Sequence, residues 1–442
     1  MSTSASLDLE SILQASKSAF LTLSTLSTDQ KNQALAKFAE IIEQNADFLL
    51  AENQKDIQQA QQDELSPSLY QRLKLDPGKI AQLVQGIRDL IKLPDPAGHL
   101  LASTQLDDGL ILEKVTVPLG VVGIIFESRP DVIPQILSLI LKSGNAVVLK
   151  GGKEATLSNR AFMQLVEQLN QACPWLPSSW ATLLDGREAV QQMLNYPQYV
   201  DLIIPRGSNQ LVQSIMANTK IPVLGHADGV CHLYVHPTAN LAQAVEVAID
   251  AKIQYPAACN AMETLLVDEA IARQYLPLFV PQAQSAGITL RVCDITMDIL
   301  AEAAEAHRSI AEKATEADWR TEYGDLTLAI KVVPSLQAAI EHINHYGSHH
   351  TDVILAQDHA AIETFLNAVD SACVFANASS RFADGFRFGL GAEIGISTAK
   401  THARGPVGLE GLVIYKYKLR GNGQKVVDYT GVNARSFQHQ SL

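Results

Sequence analysis

The sequence predicts an α/β protein of two doubly wound lobes behind a helical N-terminal region, and three observations carry that prediction. The chain has 442 residues, about three times the roughly 150 of a usual domain, so more than one core is expected. Solid apolar runs such as "GVVGIIF" (Gly120 to Phe126) suit central strands of a parallel sheet, buried on both faces. Strand-like and helix-like segments then alternate along two successive stretches, the pattern of crossover units.

Taken in order, Leu9 to about Leu93 reads as helix, with Ala34, Phe38, Ile41, Ile42, Phe48 and Leu49 recurring at helical spacing. Pro94 and Pro96 in "LPDPAG" stop it. "GLILEKVTVPL" (Gly109 to Leu119) alternates as a strand. The first lobe follows with strand "GVVGIIF", a helix near Val132 to Lys142, strand "NAVVLKG" and a helix from about Ala155 to Ala172. Strand "WATLL", a helix near Arg187 to Leu194, strand "VDLIIP" and a helix opening at "GSNQLVQSIM" complete it. The second lobe starts at "GVCHLYV" and continues through helix "NLAQAVEVAIDAKI" to strands "METLLV", "LAIKVV", "DVILA" and "ACVFAN".

Composition narrows the function. With 34 basic against 47 acidic residues the net charge is -13, which repels a nucleic-acid backbone. The N-terminus lacks the basic start and apolar core of a signal sequence, and no apolar run reaches the roughly 18 residues of a membrane span. The expectation is a cytoplasmic protein without nucleic-acid or membrane partners. Five cysteines, with no C-x-x-C pair, suit reduced thiols.

Four segments hold candidate chemistry. In "QYPAACNAMET", Pro256 ends a helix and places Cys259 in a short loop before a strand. Loops on rigid elements are where chemistry tends to sit, and loop amides or a nearby cation favour the nucleophilic thiolate. Position alone favours a small core thiol over a nucleophile, because cysteine is commonly buried. In "IIPRGSNQ", Gly207 and Ser208 end a strand, and Ser208 or Asn209 can cap the next helix, whose free N–H groups suit a pyrophosphate; an ordinary cap fits as well. Neither G-x-G-x-x-G after a strand nor a phosphate-binding G-x-x-x-x-G-K-[ST] is present. Lys150 and Lys153 flank a Gly-Gly pair at another strand end, where a ribose 2′-phosphate would find positive charge. The basic tract "SSRFADGFRFGLGAEIGISTAKTHARGP" offers Arg381, Arg387, Lys400, His402 and Arg404 to an anionic substrate or to solvent. His342, His345, His349 and His350 crowd together without a ligand spacing, so no metal is expected.

Several blocks in order, among them "VPLGVVGIIFESRPDV", "LKSGNAVVLKGGKEA", "DLIIPRGS", "YPAACNAMETLLV", "INHYGSHHTD" and "HARGPVGLEGL", resemble the gamma-glutamyl phosphate reductases, a branch of the aldehyde dehydrogenase superfamily. The resemblance implies that Cys259 attacks L-glutamyl 5-phosphate, expels phosphate and forms a thioester, which NADPH reduces to L-glutamate 5-semialdehyde. This is the second step of proline synthesis. By position Lys150 matches the lysine on the adenosine ribose, Gly207 and Ser208 the pyrophosphate turn, and Glu322 the glutamate on the nicotinamide ribose. The Cys259 amide is the expected oxyanion donor, and Arg129, Asn260, Arg381, Arg387, His402 and Arg404 are the candidate substrate-binding residues.

Two departures from the oxidising aldehyde dehydrogenases bear on chemistry. Their Glu-Leu-Gly-Gly segment activates water, whereas the matching segment here reads "VLGH", with Val223 in the glutamate's place. Their oxyanion-hole asparagine is also absent, and the matching loop reads "FESRP".

The resemblance implies an aldehyde dehydrogenase-like fold with a cofactor domain over 1–226, a catalytic domain over 227–409 and an oligomerisation strand and tail over 410–442. Residues 106–118 contribute to the same small β arm, and the resemblance implies that "GLEGLVIYKYKL" is added to a neighbour's sheet, pairing beside "GLILEKVTV". A homodimer or homotetramer follows, with a separate glutamate 5-kinase as a partner.

Overall fold

The computed structural model describes residues 9–65, 67–207, 209–225, 228–303 and 311–442. The helical region resolves into α1 (Leu9–Leu23), α2 (Thr28–Gln44), α3 (Ala46–Gln62), α4 (Pro67–Leu73) and α5 (Pro77–Lys92). Ser27 starts α2 with a capping box, its hydroxyl accepting from the Gln30 amide while the Gln30 side chain accepts from Ser27 N–H. Strands β1 (Leu100–Asp107) and β2 (Leu110–Pro118) follow as an antiparallel pair.

The first lobe is a parallel sheet of β3 (Val121–Phe126), β4 (Ala146–Lys150), β5 (Ala181–Leu183) and β6 (Leu202–Arg206), in the order β5-β4-β3-β6. Crossover helices α6 (Val132–Ser143), α7 (Thr156–Ala172) and α8 (Arg187–Met193) connect them, and α9 (Asn209–Ala217) leaves β6. Every residue of β3 is buried, as its unbroken apolar sequence requires. Chain progress runs outward from β3 to β5 and then reverses to β6 on the other side. The crevice between the ends of β3 and β6 is the place where such sheets receive ligands.

The second lobe joins β7 (Cys231–Val235), α10 (Leu241–Ile253), β8 (Met262–Asp268), α11 (Glu269–Ser285), β9 (Thr289–Val292), α12 (Asp294–Ala303) and β10 (Ala311–Lys313). Strand β11 (Thr327–Val333), α13 (Leu336–Tyr346), β12 (Thr351–Leu355), α14 (His359–Ala368) and β13 (Cys373–Ala376) complete it. Its seven strands run in the order β10-β9-β11-β8-β7-β12-β13, with every adjacent pair parallel. Direction again reverses beside β7. Both lobes therefore have the doubly wound form that the sequence predicts.

The chain then returns to the first lobe, inside the stretch assigned to the catalytic part. Ile394, Val407, Leu409 and Leu412 pack into the first lobe's core around the short pair β14 (Gly395–Ser397) and β15 (Gly405–Val407). Strand β16 (Val413–Arg420) lies antiparallel to β2, and β17 (Gln440–Ser441) to β1, in the order β16-β2-β1-β17. "GLEGLVIYKYKL" pairs beside "GLILEKVTV" within one chain, where the resemblance implied addition to a neighbour's sheet. Among the described residues no helix is long and apolar enough to cross a membrane.

Candidate active site

A cleft of about 1320 Å³ runs from the ends of β4 and β6 to the turn before β8. Arg129, Lys150, Lys153, Gly207, Cys259, Asn260, Glu322 and Arg381 all line it. Segments far apart in sequence meet here because the loops at the strand ends of both lobes face one crevice. Ser208 lies outside the described residues.

Cys259 sits in the tight turn between α10 and β8 and is half-buried. The turn is gripped from below. A Cβ on Gly229 would lie 2.6 Å from Cys259 Cα, so any larger residue there displaces the thiol loop. Cys231 Sγ donates to Cys259 O at 3.2 Å, and burial drives the Cys231 thiol well above its ordinary pKa. Asn260 ties the turn sideways, its Nδ2 donating to Ala383 O at 2.8 Å while Ser380 Oγ donates to Asn260 O at 2.6 Å. The Cys259 amide makes no hydrogen bond among the described residues. Of the remaining thiols, Cys173, Cys231 and Cys373 are buried, and Cys293 Sγ accepts from Val332 N at 3.4 Å.

Positive charge gathers beside the thiol. Arg206 ends β6 in the wall of the cleft, where desolvation and then the neighbouring Arg129 guanidinium lower its pKa. Neither guanidinium has an ion pair among the described residues. Arg381 donates from Nε to Gln254 Oε1 at 2.8 Å, and desolvation, followed by the charge of Arg387, lowers its pKa as well. Arg387 lines no part of the cleft; its Nη1 donates to Arg381 O at 2.6 Å, bracing that loop. His402 and Arg404 also stand outside the lining. His402 Nε2 is 2.9 Å from Gly411 O, while Arg404 binds Asp370 through Nη1 at 3.0 Å.

The opposite arm of the cleft fits a dinucleotide. A Cβ at Gly207 would come 2.6 Å from Glu127 Oε2 and 2.8 Å from Leu211, so a larger residue there would have to push these side chains aside. Asn209, Gln210 and Leu211 at the start of α9 line the space, and helix N-termini attract phosphate. Glu322 Oε2 accepts from Asn209 Nδ2 at 3.0 Å, and the same amide donates to Asp228 Oδ1 at 2.7 Å. The "FESRP" loop is pinned where Ser128, in the left-handed region at φ 39°, donates its N–H to Glu154 Oε1 at 2.6 Å. Lys150 Nζ hydrogen-bonds Gly151 O. Arg72 of α4 joins Lys150 and Lys153 in the lining.

The four crowded histidines diverge. His342 is buried against Trp319 and Tyr346, and desolvation, helped by the charges of His232 and Lys331, pushes its pKa down to about 2. His345 meets Arg320, His349 contacts Asp370 O and His350 contacts Thr351. Among the described residues no three acidic, histidine or cysteine side chains gather as metal ligands.

Sequence reading missed Arg206, Glu393, Gly229 and a buried pair, Lys252 with Glu263. Glu393 lines the cleft and accepts from Gly385 N at 2.8 Å. For Glu263 the signal was present: a carboxylate inside the otherwise apolar strand "METLLV" requires a buried partner, and Lys252 stands on the inward face of α10. Burial raises the Glu263 carboxyl to about 7, against the pull of Lys252.

Residues 1–326 match the model of the aldehyde dehydrogenase family. The gamma-glutamyl phosphate reductase of Methanococcoides burtonii is 48% identical over 98% of this chain and 97% of its own, and that of Picosynechococcus is 50% identical over 98% of each. The crystal structure of gamma-glutamyl phosphate reductase from Thermotoga maritima superimposes with a TM-score of 0.90 at 38% identity, covering 95% of this chain and 99% of that one. A shared fold, near-complete coverage and this level of identity lead to one conclusion: the chain belongs to the aldehyde dehydrogenase family and, within it, to the gamma-glutamyl phosphate reductases.

Proposed function

We propose that the protein reduces L-glutamyl 5-phosphate to L-glutamate 5-semialdehyde through a thioester on Cys259, with NADPH as reductant, as the second step of proline synthesis. One observation carries the reading: a half-buried thiol on a rigid turn shares a cleft with Arg129 and Arg206, whose charges have no ion pair among the described residues. Two guanidinium forks suit the phosphate of an acyl phosphate. The names of the relatives support the substrate.

The Cys259 sulfur bonds to the acyl carbon as the carbon–oxygen bond to phosphate breaks, and inorganic phosphate leaves toward the arginines. The Cys259 amide, without an internal acceptor, is the donor for the oxyanion that develops. NADPH supplies a hydride to the thioester carbon. Gly207 and the start of α9 hold the pyrophosphate, Glu322 the nicotinamide ribose, and Lys150 with Lys153 the adenosine ribose and its 2′-phosphate. The carbon–sulfur bond then breaks, releasing the aldehyde and returning the electron pair to Cys259 as thiolate. Val223 offers no carboxylate to activate water, so phosphate is the acyl partner.

The reaction is tested in reverse: pyrroline-5-carboxylate, in equilibrium with its open aldehyde, is mixed with NADP, and NADPH is followed with and without inorganic phosphate. Signal that needs both phosphate and Cys259, with Cys259→Ala as control, supports the proposal. Equal turnover without phosphate overturns it in favour of a hydrolytic aldehyde dehydrogenase. The apolar exposed side chains of the β arm, Leu100, Leu101, Ile414, Tyr417 and Leu419, support assembly into a homodimer or homotetramer.

A further inference from the structure

Beneath the thiol turn lies a charged pair that none of these steps uses. Lys252 in the last turn of α10 and Glu263 near the start of β8 are enclosed, with 0% and 1% side-chain exposure, and meet at 2.6 Å. Removing two charges from water is costly, and apolar residues of similar volume commonly serve stability as well or better. Stability alone is therefore a weak account of the pair.

Its second set of contacts points to a role. Glu263 Oε1 accepts from Gly324 N at 3.2 Å, in the loop that carries Glu322. Between them, Tyr323 places its ring 6.0 Å from Lys252 Nζ and donates its hydroxyl to Asp318 Oδ1 at 2.8 Å. On the other side, Glu322 is held by Asn209, which also binds Asp228. Asp228 precedes Gly229, against which the Cys259 backbone rests. The contacts close a ring from the thiol turn through Glu263, Gly324, Glu322, Asn209 and Gly229 back to the thiol turn.

We infer that Glu263, held by Lys252, is a positioning residue that locks the Cys259 turn to the Glu322 loop, so that nucleophile and nicotinamide-ribose site are set as one unit. The inference rests on the reading that Glu322 faces that ribose. Glu263 supplies two acceptors to two donors, the buried Lys252 Nζ and the half-buried Gly324 N–H. No apolar or amide side chain can do both.

The experiment compares the wild-type protein with the double variant Lys252→Met/Glu263→Met, with Glu263→Gln and with Glu322→Gln. NADPH binding is measured by fluorescence titration, and alkylation of Cys259 by iodoacetamide with and without NADPH. The double variant is expected to keep its melting temperature and its alkylation rate without cofactor. Its NADPH dissociation constant rises about tenfold, as for loss of a charge-assisted tie, and NADPH no longer alters the alkylation rate. A folded double variant with unchanged NADPH affinity and unchanged cofactor response overturns the inference. Should the double variant not fold, Glu263→Gln decides: its amide turns an N–H toward one of the two donors, and unchanged affinity again overturns the inference. Unchanged NADPH affinity in Glu322→Gln refutes the underlying reading of Glu322. Weakened binding there, with normal binding in the Glu263 variants, sinks the coupling alone.

Discussion

The two ends of the cleft are built differently. At the thiol end, Cys259 is held by backbone contact with Gly229 and by short bonds from Cys231, Asn260 and Ser380. At the far end, Arg72, Lys150 and Lys153 reach in on long side chains, and neither Arg72 nor Lys153 has an ion pair among the described residues. Bond formation tolerates little misplacement, since an error of about 1 Å costs on the order of 100-fold in rate. Attraction between charges falls slowly with distance. On the proposed function, rigid backbone serves the reacting centre, while flexible cations suffice for recognition.

The largest expected effect is at the thiol itself: Cys259→Ala lowers phosphate-dependent NADPH formation by about 10⁴-fold or more, with NADPH still bound in a fluorescence titration. Gly229→Ala comes next. Its Cβ forces the turn to move, so kcat falls by about 100-fold. A normal kcat in a folded Gly229→Ala protein breaks the comparison.

Arg206→Met weakens phosphate use in the reverse assay by about tenfold, and Arg206→Lys recovers part of that loss because charge returns without the fork. Lys150→Ala and Lys153→Ala produce graded rises in the KM for NADPH of several-fold each, with kcat nearly constant; a collapse of kcat there shows that the far end also positions the chemistry.

The smallest effect touches stability in the second lobe. His342 stays neutral when folded, at a pKa of about 2, but takes up a proton when unfolded below the ordinary value of about 6.5. Its contribution to stability is present above that value and is lost as pH falls. Moving from pH 7.5 to 5.5 costs about 1 kcal/mol through this group, and His342→Gln flattens that part of the melting-temperature profile.

Much of this architecture was legible in the residues. The apolar runs of β3, β4, β6, β7 and β8 announce buried parallel strands, and Pro94 follows the end of α5 at Lys92 as expected. Strands β9 and β10 escaped notice because "TLRV" and "AEK" are short and partly polar, and they are recruited by pairing with β11 and with each other. Helix α11 carries Pro277 and Pro281 in its interior, which argues against helix locally. Its buried face, with Ile271, Tyr275, Leu276 and Phe279, outweighs them through packing.

The site divides the same way. Cys259, Gly207, Lys150 and Glu322 were visible because motif blocks carry them. Arg387, His402 and Arg404 sit in the same basic tract as Arg381, yet only Arg381 reaches the cleft, while Arg404 turns to Asp370 and His402 to Gly411. A loop's composition tells which charges are available, and only its path in space tells where they point.

By itself the sequence determined the two α/β lobes and the family, because hydrophobic periodicity and ordered motif blocks are local properties of the chain. Only the tertiary structure decided that Arg206 shares a cleft with Cys259, that Gly229 supports the thiol turn and that Glu263 binds the Glu322 loop. Those contacts join residues as much as 61 positions apart, as between Glu263 and Gly324. Long-range pairing of this kind depends on how packed sheets bring their strand ends together, a relation that no local pattern encodes.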